Sequence, residues 1–387
     1  MTKRVFLDYA ATAPQLLPVH ELMGSYATSA LGNPNALYRE GKLARQALEA
    51  AREDLAEVLT CSSQDLHFCS GGTEAAGTLI EGIARGSLER FGKNQVRMHV
   101  LCAAFEHHAV LKSALSLKRS GYNVELLRPN REGRITPESL EAALRSDTLM
   151  VVVMCAQNEL GTVQDVARLT SIAHNAGALF VSDCVQGFCK LPLNLADLAL
   201  DAACFSSHKI GGPFGMGAFY LRSSVPFLPR ALGGGQERKL RSGTQNVPGA
   251  RGFALAAKLG MAESLAGENP RLAALRDELL ASLTQGSERI RSTVPVVAGD
   301  TTTHLSGYLH LLVKGIESQT MVLKLDELGF AVSGGSACSS DSLEPSHVLL
   351  SIGISKDDAY GALRISLGKV TTAEDCARFC EALLSIL

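Results

Sequence analysis

The sequence predicts an α/β protein built on a mainly parallel sheet, and two observations carry that expectation. Short apolar runs without polar alternation recur at 66–69, 99–103, 124–127, 149–154, 178–181, 202–205 and 218–221. Strands that read as continuous apolar runs are covered on both faces, as parallel strands flanked by helices are. Most of these runs are separated by helix-like stretches. Ahead of them, over 42–59, the apolar Ala44, Ala47, Leu48, Ala51, Leu55 and Val58 recur every three or four residues, the period of an amphipathic helix. After about residue 260 the character changes: two helix-like stretches reach about residue 290, then a strand is expected at 305–313, a helix at 318–328, a strand at 330–332 and a last helix at 373–387. This reads as a smaller α/β domain.

Composition narrows the function classes. Of 387 residues, 46% are hydrophobic and 20% charged, and the net charge of −2 gives no reason to expect nucleic acid or an anionic membrane as partner. Ten cysteines occur without a single C-x-x-C pair, which argues against a disulfide framework and against structural zinc. Cys376 and Cys380 lie four apart beside Phe379, Leu383 and Leu384, a pattern of core packing rather than metal binding. Residues 1–10 lack the apolar core of a secretory signal, and the longest strongly apolar run, 149–156, is too short to span a bilayer. The expectation is a cytoplasmic protein with reduced thiols and no metal.

In parallel α/β sheets ligands bind at the carboxyl ends of the strands, and the polar residues of interest mostly follow the apolar runs directly. Ser70-Gly71-Gly72-Thr73-Glu74 follows the run 66–69 and precedes a helix-like stretch. Such a turn lets backbone N–H groups approach an anion at a helix N-terminus. It is neither a Walker loop nor a dinucleotide fingerprint. Asp183 follows the run 178–181, with Gln186 three residues on. Ser206-Ser207-His208-Lys209 follows 202–205 and precedes Gly211-Gly212-Pro213. Taken singly, each has a bland reading: a common turn, a capping Asp, a solvated Lys. Together they supply what pyridoxal phosphate needs, namely a Lys for a Schiff base, a carboxylate for the pyridinium nitrogen and a phosphate cradle.

The chain also resembles the cysteine desulfurases of the NifS/IscS type, within the class V, fold-type I pyridoxal-phosphate enzymes. The resemblance runs nearly end to end. It rests on residues 7–12 (LDYAAT), Gly32-Asn33-Pro34, 70–74 (SGGTE), Glu106-His107, Asn158-Glu159-Leu160-Gly161, Asp183 with Gln186, and Ser206 to Lys209. It continues through 233–244 (GGGQERKLRSGT), 333–349 (SGGSACSSDSLEPSHVL) and 363–368 (LRISLG). Each piece is weak alone, but their order and number are specific. The resemblance implies a large cofactor domain with a seven-stranded sheet over 15–260. It implies a small domain over 1–14 and 261–387 that carries a mobile catalytic loop at about 333–347.

It also implies roles. Lys209 would carry the cofactor and, once freed, remove the substrate Cα proton. Asp183 would pair with the ring nitrogen, Gln186 with the ring hydroxyl, and His107 would stack on the ring. Gly72, Thr73, Ser206 and His208 would form the phosphate site, with Thr244 reaching in from the second subunit of a homodimer. Asn33, Asn158 and Arg364 would position the substrate, Arg364 through a two-pronged contact with its carboxylate. Cys338, flanked by Ser, Gly and Ala, would take the sulfur of L-cysteine as a persulfide, leave L-alanine, and pass the sulfur to an acceptor or iron–sulfur scaffold protein. Tyr38, Gln157 and Asp341 depart from the family pattern; Asp341 would raise the Cys338 pKa by charge repulsion. Rival readings are a selenocysteine lyase or another class V enzyme, and, in a different class, an inactive sulfur carrier or scaffold.

Overall fold

The computed structural model describes residues 4–27, 29, 32–335 and 344–387. Cys338 and Asp341 lie outside the described residues. In chain order the strands are β1 (Val5–Phe6), β2 (Leu66–Cys69), β3 (His99–Ala103), β4 (Asn123–Leu127), β5 (Thr148–Val152), β6 (Leu179–Asp183), β7 (Ala202–Ser206), β8 (Gly217–Leu221), β9 (Ile290–Ser292), β10 (Tyr308–Val313), β11 (Phe330–Ala331) and β12 (Ala362–Ser366).

Strands β2 to β8 form a seven-stranded sheet in the order β2-β8-β7-β6-β5-β3-β4. The pairings from β7 through β6, β5 and β3 to β4 are parallel. Only β8 runs against its neighbours, β7 and β2. Its reversal follows from the connection: ten residues, 207–216, hold a short 3-10 turn at Ser207–Ile210 and no crossover helix, whereas a parallel return needs a longer crossover. The sheet is covered on both faces, as continuous apolar strands require. One face packs on the helix Gly72–Phe91 through Ala76, Leu79, Ile80 and Ile83, against Val100, Val152 and Phe219. The other packs on the helices Arg39–Leu59 and Val247–Leu265 through Leu48, Leu55, Phe253 and Ala257, against Val151, Phe180 and Phe205.

Two expected strands end later than the apolar criterion allowed. Asp183 is the last residue of β6 and Ser206 of β7; both are polar, so an apolar run stops short of them. Strands β9, β10 and β12 form a separate antiparallel sheet, and β1 pairs in parallel with β11. Their core includes Val5, Leu7, Leu279, Leu309, Phe330, Ile365 and Phe379. The chain start is thus built into the same cluster as the chain end, and this brings residues 8–11 to the carboxyl edge of the large sheet. The change of character expected near residue 260 falls inside the helix Val247–Leu265, whose buried face packs with the large sheet; the helix Glu268–Gly286 packs with the small one.

Candidate active site

A cavity of about 210 Å³ opens at the carboxyl edge of the large sheet. Its lining includes Gly72, Thr73, His107, Asn158, Asp183 and Gln186, together with Ser206, His208, Lys209 and Arg364. Ten of the residues singled out in the sequence therefore meet in one place. Asn33 and Thr244 do not line it. Both are exposed, and the Asn33 Oδ1 accepts from the Asn35 backbone N–H at 2.9 Å.

The cradle is backbone. Gly71 precedes the helix Gly72–Phe91 with no side-chain cap, and the first N–H groups of a helix have no intrahelical acceptor. One close approach demands glycine, and a second leaves little room for more. A Cβ on Gly217 would lie 2.6 Å from the Gly71 Cα, and one on Gly72 would lie 3.1 Å from Val185 Cγ2. Glu74 does not face an anion: it accepts from the Ser70 N–H at 2.7 Å and from Arg241 Nε at 2.7 Å, and these bonds hold its carboxyl down at about 2 against a burial that works the other way.

Asp183 is buried, and burial raises its pKa. The raising is opposed by the Val185 N–H at 2.9 Å, by the thiol of Cys204, its partner across β6 and β7, and by the charge of Lys209. A buried carboxylate with so few donors is suited to a cationic N–H partner. The Gln186 Nε2 donates to the Ala10 carbonyl at 3.0 Å while its Oε1 accepts from the Tyr308 hydroxyl, so the amide orientation is set from both ends. Lys209 Nζ donates to the Ala10 and Ala11 carbonyls at 2.8 and 2.7 Å.

His107 is neutral. Burial, then Lys209, push its pKa down to about 4. Its Nδ1 accepts from the Ala109 N–H at 3.1 Å, which leaves the proton on Nε2. His208 is also pushed down to about 4, mainly by burial and then by Lys209, with Nδ1 3.1 Å from Thr12 Oγ1. Arg364 is buried. Its Nη2 donates to Asp8 Oδ1 at 2.7 Å and its Nη1 to the Asn158 carbonyl at 3.1 Å, while its buried Nε–H has no hydrogen-bond partner among the described residues. An orphaned buried donor on a cation costs about 1–3 kcal/mol, and the guanidinium lines a cavity where a carboxylate would be a matching counter-ion.

Several contributors are not singled out by the sequence as site groups. Ala10 and Ala11 act through carbonyls, and Tyr308 lies far along the chain. Gln157, noted as a departure, holds the turn around Asn158: its Oε1 accepts from the Glu159 and Leu160 N–H groups at 2.5 and 2.7 Å, and its Nε2 donates to the Phe105 carbonyl at 3.2 Å and Asn158 Oδ1 at 3.3 Å. Tyr38 is exposed and packs beside Gly32, away from the cavity. Among the described residues no group of three or more His, Cys, Asp or Glu could hold a metal.

Comparisons with known proteins show the family. The chain matches the family described as Aminotransferase class-V over residues 5–379. It is 36% identical over 385 residues to a cysteine desulfurase IscS of Methanosarcina thermophila, covering 100% of this chain and 92% of that one. Among solved structures, a NifS-like protein superposes with a TM-score of 0.89 at 33% identity, covering 99% of both chains. A structure described as SspA in complex with cysteine superposes with a TM-score of 0.80 at 30% identity, covering 94% of this chain and 98% of that one. The chain belongs to the class-V aminotransferase family, whose members generally use pyridoxal phosphate. Within that family it belongs with the cysteine desulfurases of the IscS and NifS type.

Proposed function

We propose that this chain takes the sulfur atom of L-cysteine onto the Cys338 thiol, releasing L-alanine, and passes the resulting persulfide sulfur to an acceptor or iron–sulfur scaffold protein. The observation that carries the reading is the convergence of Gly72, Thr73, His107, Asp183, Lys209 and Arg364 on one cavity. The cavity fits pyridoxal phosphate: a helix N-terminus with close-packed glycines for the phosphate, a buried carboxylate poor in donors for the ring nitrogen, and a lysine lining the same cavity. When bound, the cofactor supplies an electron sink that labilises the Cα–H and Cβ–S bonds of an attached amino acid.

The chain's own groups do the rest. Lys209, whose Nζ rests on the Ala10 and Ala11 carbonyls, would hold the cofactor through its amine. Later its free Nζ takes the Cα proton. Asp183, kept in place by Val185 and Cys204, pairs with the ring nitrogen, and Gln186 with the ring hydroxyl. His107 lies against the ring as the neutral tautomer with Nε2–H. Thr73, Ser206 and His208 hold the phosphate together with Thr244 of a second copy; the exposure of Thr244 in the single chain suits that role. Arg364 takes the substrate carboxylate and Asn158 and Asn33 orient it. The Cys338 thiolate attacks the substrate sulfur: the new S–S bond forms as the Cβ–S bond breaks, and Cβ is protonated on the way to alanine. Residues 15–260 are read as the cofactor domain, and 1–14 with 261–387 as the domain that brings Cys338 to it. The cytoplasm is the proposed location, in keeping with ten cysteines that lack disulfide-framework spacing.

The test is spectroscopic and chemical. The purified protein should absorb in the visible, and borohydride should fix the cofactor on Lys209. Mass spectrometry placing the reduced adduct on another lysine would remove Lys209 from this role.

A further inference from the structure

Resting on that reading, we infer that Glu159 is a positioning residue for the sulfur-accepting step. Its carboxylate accepts from Ser346, on the C-terminal side of the stretch that contains Cys338, and lies against Gly335, the last described residue before that stretch.

The contacts are specific. Glu159 is only 1% exposed. The Ser346 hydroxyl donates to Glu159 Oε2 at 2.6 Å. From the other side the backbone of Gly335 passes so close that a Cβ there would lie 3.3 Å from the same oxygen. Ser346 has one proton to donate and gives it to Glu159, while its oxygen accepts the Val348 N–H at 3.1 Å and caps the helix His347–Ser351. The outgoing end is tied as well: Ser333 exchanges backbone bonds with Arg364, at 2.7 and 3.3 Å.

A buried carboxylate is costly unless hydrogen-bonded, and Ser346 supplies one of its bonds. Glu159 sits on the turn held by Gln157, next to Asn158, whose carbonyl accepts from Arg364. The turn that carries Asn158, which lines the cavity, thus also holds Ser346 and borders Gly335. His347 adds a second tie on the exit side, with Nε2 2.9 Å from the Glu106 carbonyl and its ring stacked on His108 at 4.6 Å. Because Glu159 acts through Ser346 and Gly335 and does not line the cavity, it should affect sulfur transfer and spare substrate binding.

The test uses cofactor-loaded enzyme in a single turnover with L-cysteine, reading persulfide on the Cys338 peptide by mass spectrometry and L-cysteine binding by absorbance. Glu159→Ala should slow persulfide formation by about ten- to a hundredfold, the effect of losing a hydrogen bond to a charged group, with the Kd for L-cysteine changed less than about threefold. Glu159→Gln, which keeps an acceptor oxygen for Ser346, should recover most of the rate. In a Ser346→Ala background, where that bond is already gone, Glu159→Ala should cost less than it does in the wild type. A wild-type rate in Glu159→Ala would overturn the inference, and so would an undiminished loss in the Ser346→Ala background. Should Glu159→Ala not fold, a wild-type rate in Ser346→Ala alone would overturn it equally. Wild-type enzyme that forms no Cys338 persulfide would instead sink the functional reading on which it rests.

Discussion

Replacing Arg364 by lysine should raise the KM for L-cysteine by about one to two decades while leaving cofactor binding intact. The structure sets the magnitude. The Arg364 guanidinium is anchored by Nη2 on Asp8 and Nη1 on the Asn158 carbonyl, and its Nε–H is buried and unclaimed. The planar group can hold these anchors and still offer a flat edge to a carboxylate. A lysine ammonium is a point charge that must choose among Asp8, Asn158 and substrate. Losing one charge-assisted bond to the substrate costs roughly 1.5–3 kcal/mol, and each 1.4 kcal/mol is about a factor of ten. The assay is steady-state alanine production over a range of L-cysteine concentrations, with the cofactor absorbance and a thermal melt as controls for the site and the fold. An unchanged KM would remove Arg364 from the substrate contact, whatever its effect on kcat.

Two further outcomes follow from the same geometry. The protein should be a homodimer burying well over about 2,000 Å², because Thr244 is exposed in one chain and is proposed to complete the phosphate site of a second; a monomer by light scattering that binds the cofactor tightly and turns over L-cysteine would contradict this. Stability should fall as pH drops from about 6.5 toward about 4. His107, His208 and His304 are pushed down to about 4 and His67 and His310 to about 3, each chiefly by burial, so between those values the unfolded chain binds more protons than the folded one. Their contribution is complete above about 6.5 and is lost on acidification; denaturation midpoints flat across this window would refute the assignment of these imidazoles as neutral.

Much of the site was legible because its residues stand where strands end. Asp183 and the Ser206 to Lys209 segment follow apolar runs, and a parallel sheet sends such positions to one edge. What was not legible comes from elsewhere in the chain. The Ala10 and Ala11 carbonyls grip Lys209 only because β1 is built into the sheet and core of the C-terminal region, and no side chain marks that role. Tyr308 sets Gln186 from the small sheet, a contact across 122 residues of sequence. Gln157 looked like a departure from a pattern, yet its longer amide makes four bonds that shape the turn carrying Asn158 and Glu159. The direction of β8 was missed for a different reason, since apolar runs read alike in parallel and antiparallel strands.

The central claim is that Cys338 accepts the sulfur, and Cys338→Ser tests it most directly. The other cysteines are poor substitutes. Cys69, Cys102, Cys155, Cys184, Cys189, Cys204, Cys376 and Cys380 are buried. Thiols are pushed up to about 12 at Cys61, Cys69 and Cys189 and to about 11 at Cys376, with burial as the leading cause at each. A serine hydroxyl stays protonated near neutral pH and is a far weaker nucleophile toward sulfur than a thiolate. Wild type and mutant, both loaded with cofactor, would be incubated with L-cysteine without external reductant, and alanine and the mass of the residue-338 peptide measured. The account predicts alanine and one added sulfur atom for wild type, and unchanged L-cysteine binding with almost no alanine for the mutant. Wild-type alanine production by Cys338→Ser would contradict it.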